Sequence, residues 1–324
     1  MFVSRRRIGG KNYFYLEDRE VGKRISVSLG QKERAIGQID AGFSGLMHRK
    51  IAEAFKSAQA DFAPQVLSQA EIIALEKLKI DYALMKEFFP DSFFAFKEDE
   101  FVRYAQGSAS VEGNSLSLQE AALVLGKGIS ISGKTIDEIK EIENMSFAAK
   151  ISGKIKELSE RNIRKVHSAI MRGFESKMPG EYRVGPMFIT GSKVHPPNGA
   201  DVPSEMKKLL NWHGKNTGKI HPVELGAEFH ARFELIHPFL DGNGRTGREI
   251  LNAMLRIAGY PRAIINLQNR QSYIVLLERV QLNREYSNFA EFVSLCLEKR
   301  GKEIEKIVDE NRPAILKNIA KKIR

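Results

Sequence analysis

One cysteine in 324 residues excludes a disulfide framework, and a reducing cytoplasm is the simple expectation. That cysteine, Cys296, sits in the apolar run Phe292-Val-Ser-Leu-Cys-Leu297 and reads as a small core hydrophobe rather than a reactive thiol. No stretch approaches the ~20 uninterrupted apolar residues of a membrane helix. The N-terminus, MFVSRRRIGG, has basic residues without an apolar segment behind them, so no secretory signal is expected. Zinc-ligand spacing, an aromatic RNA-binding signature, a heptad run, an internal repeat and a low-complexity linker are all missing. What is left is an ordinary globular composition, 42% hydrophobic and 28% charged. The length suits one large domain with a small appendage, or two modest domains.

The net charge is +11, which would suit nucleotides, nucleic acid or an acidic protein surface. Lys and Arg are nonetheless interspersed with acids nearly everywhere. The largest local excess falls in residues 1–35, with a second at Lys317, Lys321, Lys322 and Arg324. Charge alone selects no function.

Residues 1–30 read as strand, turn and strand around Gly9-Gly10-Lys-Asn12, with Ile25–Leu29 as a third strand. From about residue 33 the pattern turns helical. A long helix is expected over 67–89, ending before Pro90. Capping boxes at Ser117–Glu120 and Thr135–Glu138 open two more, the first closed by Gly126. Residues 178–203, rich in Pro and Gly, form a long loop of hairpin character, and long ordered loops in compact domains tend to be functional. Helices follow at 204–212, 223–236, 245–258, 271–280 and 289–300, and a tail helix over 302–324 breaks near Pro313. The expected class is mainly α, with a small N-terminal antiparallel sheet. The expected divisions are a β-hairpin or sheet at 1–35, a helical region at 36–97, a catalytic domain at 98–300 and a basic helical tail at 301–324.

The informative stretch is His237-Pro-Phe-Leu-Asp-Gly-Asn-Gly-Arg-Thr-Gly-Arg248. It reads as a helix stopped by Pro238, a tight loop and a new helix beginning near Arg245. Gly242 and Gly244 permit positive φ and close backbone approach. Successive N–H groups in such a loop, with the helix N-terminus behind them, make an anion nest. Arg245 and Arg248, three apart, project from one side toward the same anion. Asp241 beside the nest makes sense if a Mg²⁺ joins carboxylate to phosphate. His237 can accept a proton near neutral pH. Base, acid, nest and two arginines within twelve residues point to phosphoryl or nucleotidyl transfer.

This stretch resembles the Fic family signature, H-x-F-x-(D/E)-G-N-G-R-x-x-R, with every defined position filled. Gly180-Glu-Tyr-Arg183, Ile189-Thr-Gly191 and Pro196-Pro197 are similar to the family's flap hairpin, and residues of about 90–297 lie along its core. The resemblance implies a Fic-type helical bundle with a flap β-hairpin and transfer of AMP from ATP to a hydroxyl of a target protein or of the chain itself. It implies His237 as general base, Phe239 as core anchor and Asp241 as ligand of Mg²⁺. Gly242, Asn243 and Gly244 would hold the α-phosphate, Arg245 the β-phosphate and Arg248 the γ-phosphate. Tyr273 and Asn283 are candidates for the nucleoside end, although a tyrosine at helical spacing is as often core.

A second motif of self-inhibited members, (S/T)-x-x-x-E-(G/N), is matched by Ser108-Ala-Ser-Val-Glu112-Gly113, at the end of a helix expected over about 98–111. A glutamate there would pair with Arg248 and take the group meant for the γ-phosphate. Removal of AMP from a modified protein with Glu112, transfer of UMP or phosphocholine, and a role chiefly as a nucleotide- or nucleic-acid-binding module are the alternatives. A lysine in place of Gly244 would mark phosphate transfer. The target protein is unknown, family members often dimerise, no membrane partner is expected, and no pattern for reading nucleic acid is present.

Overall fold

In a computed structural model the protein is described over residues 1–20, 22–62, 66–188 and 193–323. It divides into two compact units, one of residues 1–62, 68–93 and 298–324, the other of 63–67 and 94–297.

The first unit opens with an antiparallel meander of β1 (Phe2–Ile8), β2 (Lys11–Glu20) and β3 (Lys23–Gln31), with a register irregularity at Phe14/Tyr15. Side chains alternate across a strand. Leu16 and Leu29 are fully buried, whereas Glu17 faces the other way and is held by Arg6 and Arg24. Two of the basic residues counted in this region therefore share one carboxylate. Helices α1 (Lys32–Gly37), α2 (Ile39–Asp61) and α3 (Gln69–Phe88) follow, and the last turns of α12 (Ser287–Glu310) and α13 (Arg312–Lys321) complete this unit. A capping box of Ser68 and Glu71 starts α3.

The second unit holds most of α4 (Pro90–Val111), then α5 (Leu118–Lys127), α6 (Ile136–Ser152), α7 (Glu160–Ile170), α8 (Val202–Asn216), α9 (Pro222–Ile236), α10 (Asn243–Ile257) and α11 (Arg270–Asn283). Helices α9 and α10 form its centre. Eleven of the fifteen residues of α9 and twelve of the fifteen of α10 are buried, so both are enclosed on nearly all sides. The core packs Phe229, Phe233 and Phe239 against Ile163, Val166 and Met206.

Several boundaries differ from the sequence reading. Helix α4 begins at Pro90 instead of residue 98, because proline is well suited to the first helical turn. Helix α5 closes on Gly128, whose φ of +62° supplies the left-handed cap, and Gly126 stays helical. Helix α12 runs on to Glu310, so the break before the tail falls at Asn311. The flap segment contains no strand among the described residues, and its Ile189-Thr-Gly191 lies outside them.

Candidate active site

The site is built on the turn between α9 and α10. His237 ends α9 with φ +48° and ψ +60°, a left-handed conformation that costs a residue with a Cβ and marks a backbone held by its surroundings. Phe239 is fully buried and stacks on His167 with centroids 3.6 Å apart and planes 3° from parallel. The Asn243 carboxamide closes the turn on itself: its Oδ1 accepts from Phe239 N at 2.9 Å and its Nδ2 donates to Phe239 O at 2.8 Å. Gly242 has φ +72°, and a Cβ there would meet Met171 Sδ at 2.5 Å. The N-cap of α10 is Gly242, which offers no capping side chain, so the N–H groups of the first turn form a nest suited to an anion.

Two residues to which the sequence reading assigned no role fix this turn. The Gly180 N–H donates to His167 Nδ1 at 2.8 Å, so His167 carries its proton on Nε2, which lies 2.9 Å from the Asp241 carbonyl. Burial pushes the pKa of His167 down to about 4, and it stays neutral in this role. Arg183 is buried, and among the described residues it has no carboxylate partner. It donates to four carbonyls, those of His237 (2.7 Å), Gly185 (2.8 Å), Pro197 (2.7 Å) and Ile236 (3.2 Å). The flap segment and the turn are thereby one hydrogen-bonded body. His167 stands in no motif and Arg183 belongs to the flap pattern without an assigned role, so the contacts supply both roles.

His237 itself is partly buried, and desolvation lowers its pKa, which keeps it neutral at physiological pH. Its Nδ1 lies 3.4 Å from the Glu234 carbonyl, an acceptor only, so Nδ1 carries the proton and Nε2 is free to take one. For Asp241, burial acts upward, but hydrogen bonding to Lys177 and the charge of Arg245 outweigh it and hold the carboxyl below its ordinary range. Lys177 Nζ lies 3.1 Å from it. Among the described residues no cluster of three or more His, Cys, Asp or Glu could hold a metal. A lone ionised carboxylate fits a Mg²⁺ that arrives on phosphates, not a dedicated cage.

Both arginines of the turn are occupied. Arg245 donates to Glu141 Oε1 at 2.7 Å, and Asn114 Nδ2 reaches the other oxygen of that glutamate at 2.9 Å. Arg248, 1% exposed, donates to Glu112 Oε1 at 2.7 Å, to Ser108 O at 2.8 Å and, through Nε, to Ser108 Oγ at 2.9 Å. Burial acts to raise the pKa of Glu112, but the charge and hydrogen bond of Arg248 prevail and hold it low. Glu112 also lies directly over the start of α10. A Cβ on Gly244 would meet Glu112 Oε1 at 2.3 Å, so the glycine is what lets the carboxylate lie against the anion nest. Gly113, with φ +104°, turns the chain away after it.

Beneath Arg248 lies a polar cluster. Tyr273 Oη is 2.9 Å from His230 Nε2 and 3.4 Å from Arg248 Nη1, and its ring packs on Phe289 and Phe292. Tyr273 is thus a buried neighbour of Arg248 and His230. Asn283 is exposed at the last position of α11, and among the described residues the turn makes no hydrogen bond to it. Glu234 is also buried, and desolvation raises its pKa to about 8, so it is protonated at neutral pH. The Asn243 side-chain amide is hydrogen-bonded to Phe239 through both its oxygen and its nitrogen.

Residues 157–255 match the Fic/DOC family. A relative from Drosophila virilis, "Protein adenylyltransferase Fic", is 31% identical over 208 residues, 63% of this chain and 42% of its own. The chain therefore spans about two fifths of the length of the curated relatives it matches. A Fic family protein from Desulfovibrio desulfuricans superposes with a TM-score of 0.66 at 26% identity, covering 77% of this chain and 76% of that one. A Fic domain-containing signalling protein from Bacteroides thetaiotaomicron shares the fold, with a TM-score of 0.67 at 22% identity over 73% of this chain and 97% of that one.

Proposed function

The chain belongs to the Fic/DOC family, and on that premise we propose that it transfers AMP from ATP to a hydroxyl side chain, a Ser, Thr or Tyr of a target protein or of itself. One observation carries the reading: a neutral His237 with a free Nε2 stands beside an uncapped helix N-terminus flanked by Arg245 and Arg248. The catalytic part is assigned to residues 98–300. His237 Nε2 takes the proton from the target hydroxyl, whose oxygen attacks the α-phosphorus as pyrophosphate leaves. The first-turn N–H groups of α10 stabilise the charge that builds on the α-phosphate. Arg245 and Arg248 hold the β- and γ-phosphates once Glu141 and Glu112 yield them. Asp241 would hold Mg²⁺ brought by the nucleotide, which neutralises phosphate charge; Lys177 must release it first. Most of the acceleration is positioning and charge neutralisation.

In the arrangement described here Glu112 occupies Arg248 and overlies the nest, so the protein restrains itself. The test is incubation of wild type, Glu112→Gly and Glu112→Gly/His237→Ala with Mg²⁺ and ATP labelled on the α-phosphate. Label on Glu112→Gly alone is the expected result. Equal label on wild type would remove the restraint, label surviving His237→Ala would remove the base, and no label on any protein would remove AMP transfer. Activity of Glu112→Gly should fall as pH drops below ~6.5, through the lowered pKa of His237, because only the neutral ring accepts the proton.

A further inference from the structure

Helix α7 has two working faces. Its inner face carries His167, which holds the turn and Gly180. Its outer face carries Arg161, Arg164, Lys165, Ser168 and, just past its end, Arg172, all exposed, at spacings that put them on one helical stripe. This stripe lines two adjoining grooves. One, of about 550 Å³, is lined by Glu160, Arg161, Arg164, Lys165, Ser168 and Gly180, three cations against one acid. The other, of about 660 Å³, shares Lys165 and Ser168 and reaches across to α6, with Lys150, Lys154 and Arg172 above an apolar floor that includes Phe147 and Ile151. Phe147, 38% exposed, has Arg172 over its ring at 4.2 Å and Lys150 at 5.5 Å.

Residues 147–172 contain seven Lys or Arg (150, 154, 156, 161, 164, 165, 172) against two acids (157, 160), a net +5. Among the described residues none of the six cations on the grooves forms an ion pair. Elsewhere the basic residues are partly matched, as Arg6 and Arg24 are by Glu17. Unpaired like charges held side by side repel one another, and an anionic occupant relieves that repulsion. The apolar floor between the cations suits side chains interspersed with the acids better than a bare phosphate backbone.

We propose that the α6–α7 grooves dock an acidic segment of the protein substrate and present a neighbouring hydroxyl along the flap toward His237. This deepens the AMP-transfer reading and rests on it for the identity of the occupant. The coupling is built in, because the groove ends at Gly180, whose carbonyl accepts from Arg164 at 2.7 Å and whose N–H is held by His167. The flap segment that begins there is tied by Arg183 to the His237 carbonyl. A peptide on the outer face of α7 therefore lies against the same body that positions the base.

The test separates docking from chemistry. Binding of a fluorescein-labelled oligoglutamate peptide is read by anisotropy for wild type and for Lys154→Glu/Arg161→Glu/Lys165→Glu. A control with the same charge change, Arg5→Glu/Arg7→Glu/Lys11→Glu, is read alongside. The groove variant should bind at least about tenfold more weakly and the control unchanged. Equal loss in both, or none in the groove variant, would overturn the proposal. Tighter binding of a single-stranded oligonucleotide than of the peptide, abolished by the groove variant, would overturn it in favour of nucleic acid. In the Glu112→Gly background, transfer of labelled AMP to an oligoglutamate ending in Tyr should show a raised KM with unchanged kcat in the groove variant, while self-labelling is unaffected. Self-labelling without groove-dependent peptide binding defeats docking alone, and groove-dependent binding without any labelling defeats AMP transfer alone.

Discussion

Replacing Glu112 with glutamine isolates the charge of the restraining pair, because the side chain keeps its size and one oxygen toward Arg248. Glu112 Oε1 and Arg248 Nη2 are 2.7 Å apart, and the guanidinium is 1% exposed while the carboxylate side chain is 38% exposed. A hydrogen bond between charged groups contributes about 1.5–3 kcal/mol, and solvent screening of the partly exposed carboxylate reduces this to about 1–2 kcal/mol. Arg248 keeps its bonds to Ser108 O and Oγ, so the helix contact itself should survive. The ligand-free variant should therefore unfold with about 1–2 kcal/mol less stability. In the proposed reaction the γ-phosphate displaces the same carboxylate from Arg248, so the variant should bind ATP more tightly, by roughly 5–30-fold. AMP, which has no γ-phosphate, should gain much less. Calorimetric titration with ATP and AMP, beside denaturant unfolding, measures all three. Unchanged stability together with unchanged ATP affinity would refute the idea that this pair competes with nucleotide. Since the Glu112 pKa is lowered, the pair is intact above the ordinary glutamate range and is lost only as pH falls through the lowered value. Mild acidification to about pH 5 should not release it.

Two further variants test the scaffold. Arg183→Lys replaces a fork that serves four carbonyls by a single ammonium, and the loss of two or more charge-assisted bonds should cost about 2–4 kcal/mol in denaturant unfolding; wild-type stability would show that water serves those carbonyls equally well. Glu234 has a raised folded pKa, so the folded state binds its proton more tightly than the unfolded chain, and stability should fall as pH rises from ~4.5 to about 8. Glu234→Gln should flatten that slope with little change at acid pH, and an unaltered slope would show that Glu234 is not its source.

The turn was legible because its chemistry is local. His237, Asp241, the two glycines and Arg245 and Arg248 lie within twelve residues, and a proline, two glycines and a helix start leave the backbone few ways to run. The capping boxes at Ser117 and Thr135 were legible for the same reason, since each is satisfied within four residues. Tyr273 shows the limit. Its spacing along the chain was compatible with a wall or a core position, and burial against Phe289 and Phe292 decided for the core. Gly126 was read as the stop of α5, and the left-handed φ of Gly128 places it two residues later.

By itself the sequence determined the mainly helical architecture with its N-terminal sheet, the residues gathered in the turn, and the pairing partner expected for Glu112. Only the tertiary structure determined that Asn243 clamps its own turn, that Arg183 and His167 bind the flap to it, that Glu141 holds Arg245, and that Glu234 is neutral beneath Arg248. Local steric rules are written in neighbouring residues, whereas burial and long-range hydrogen bonds depend on which distant segments the packed core brings together.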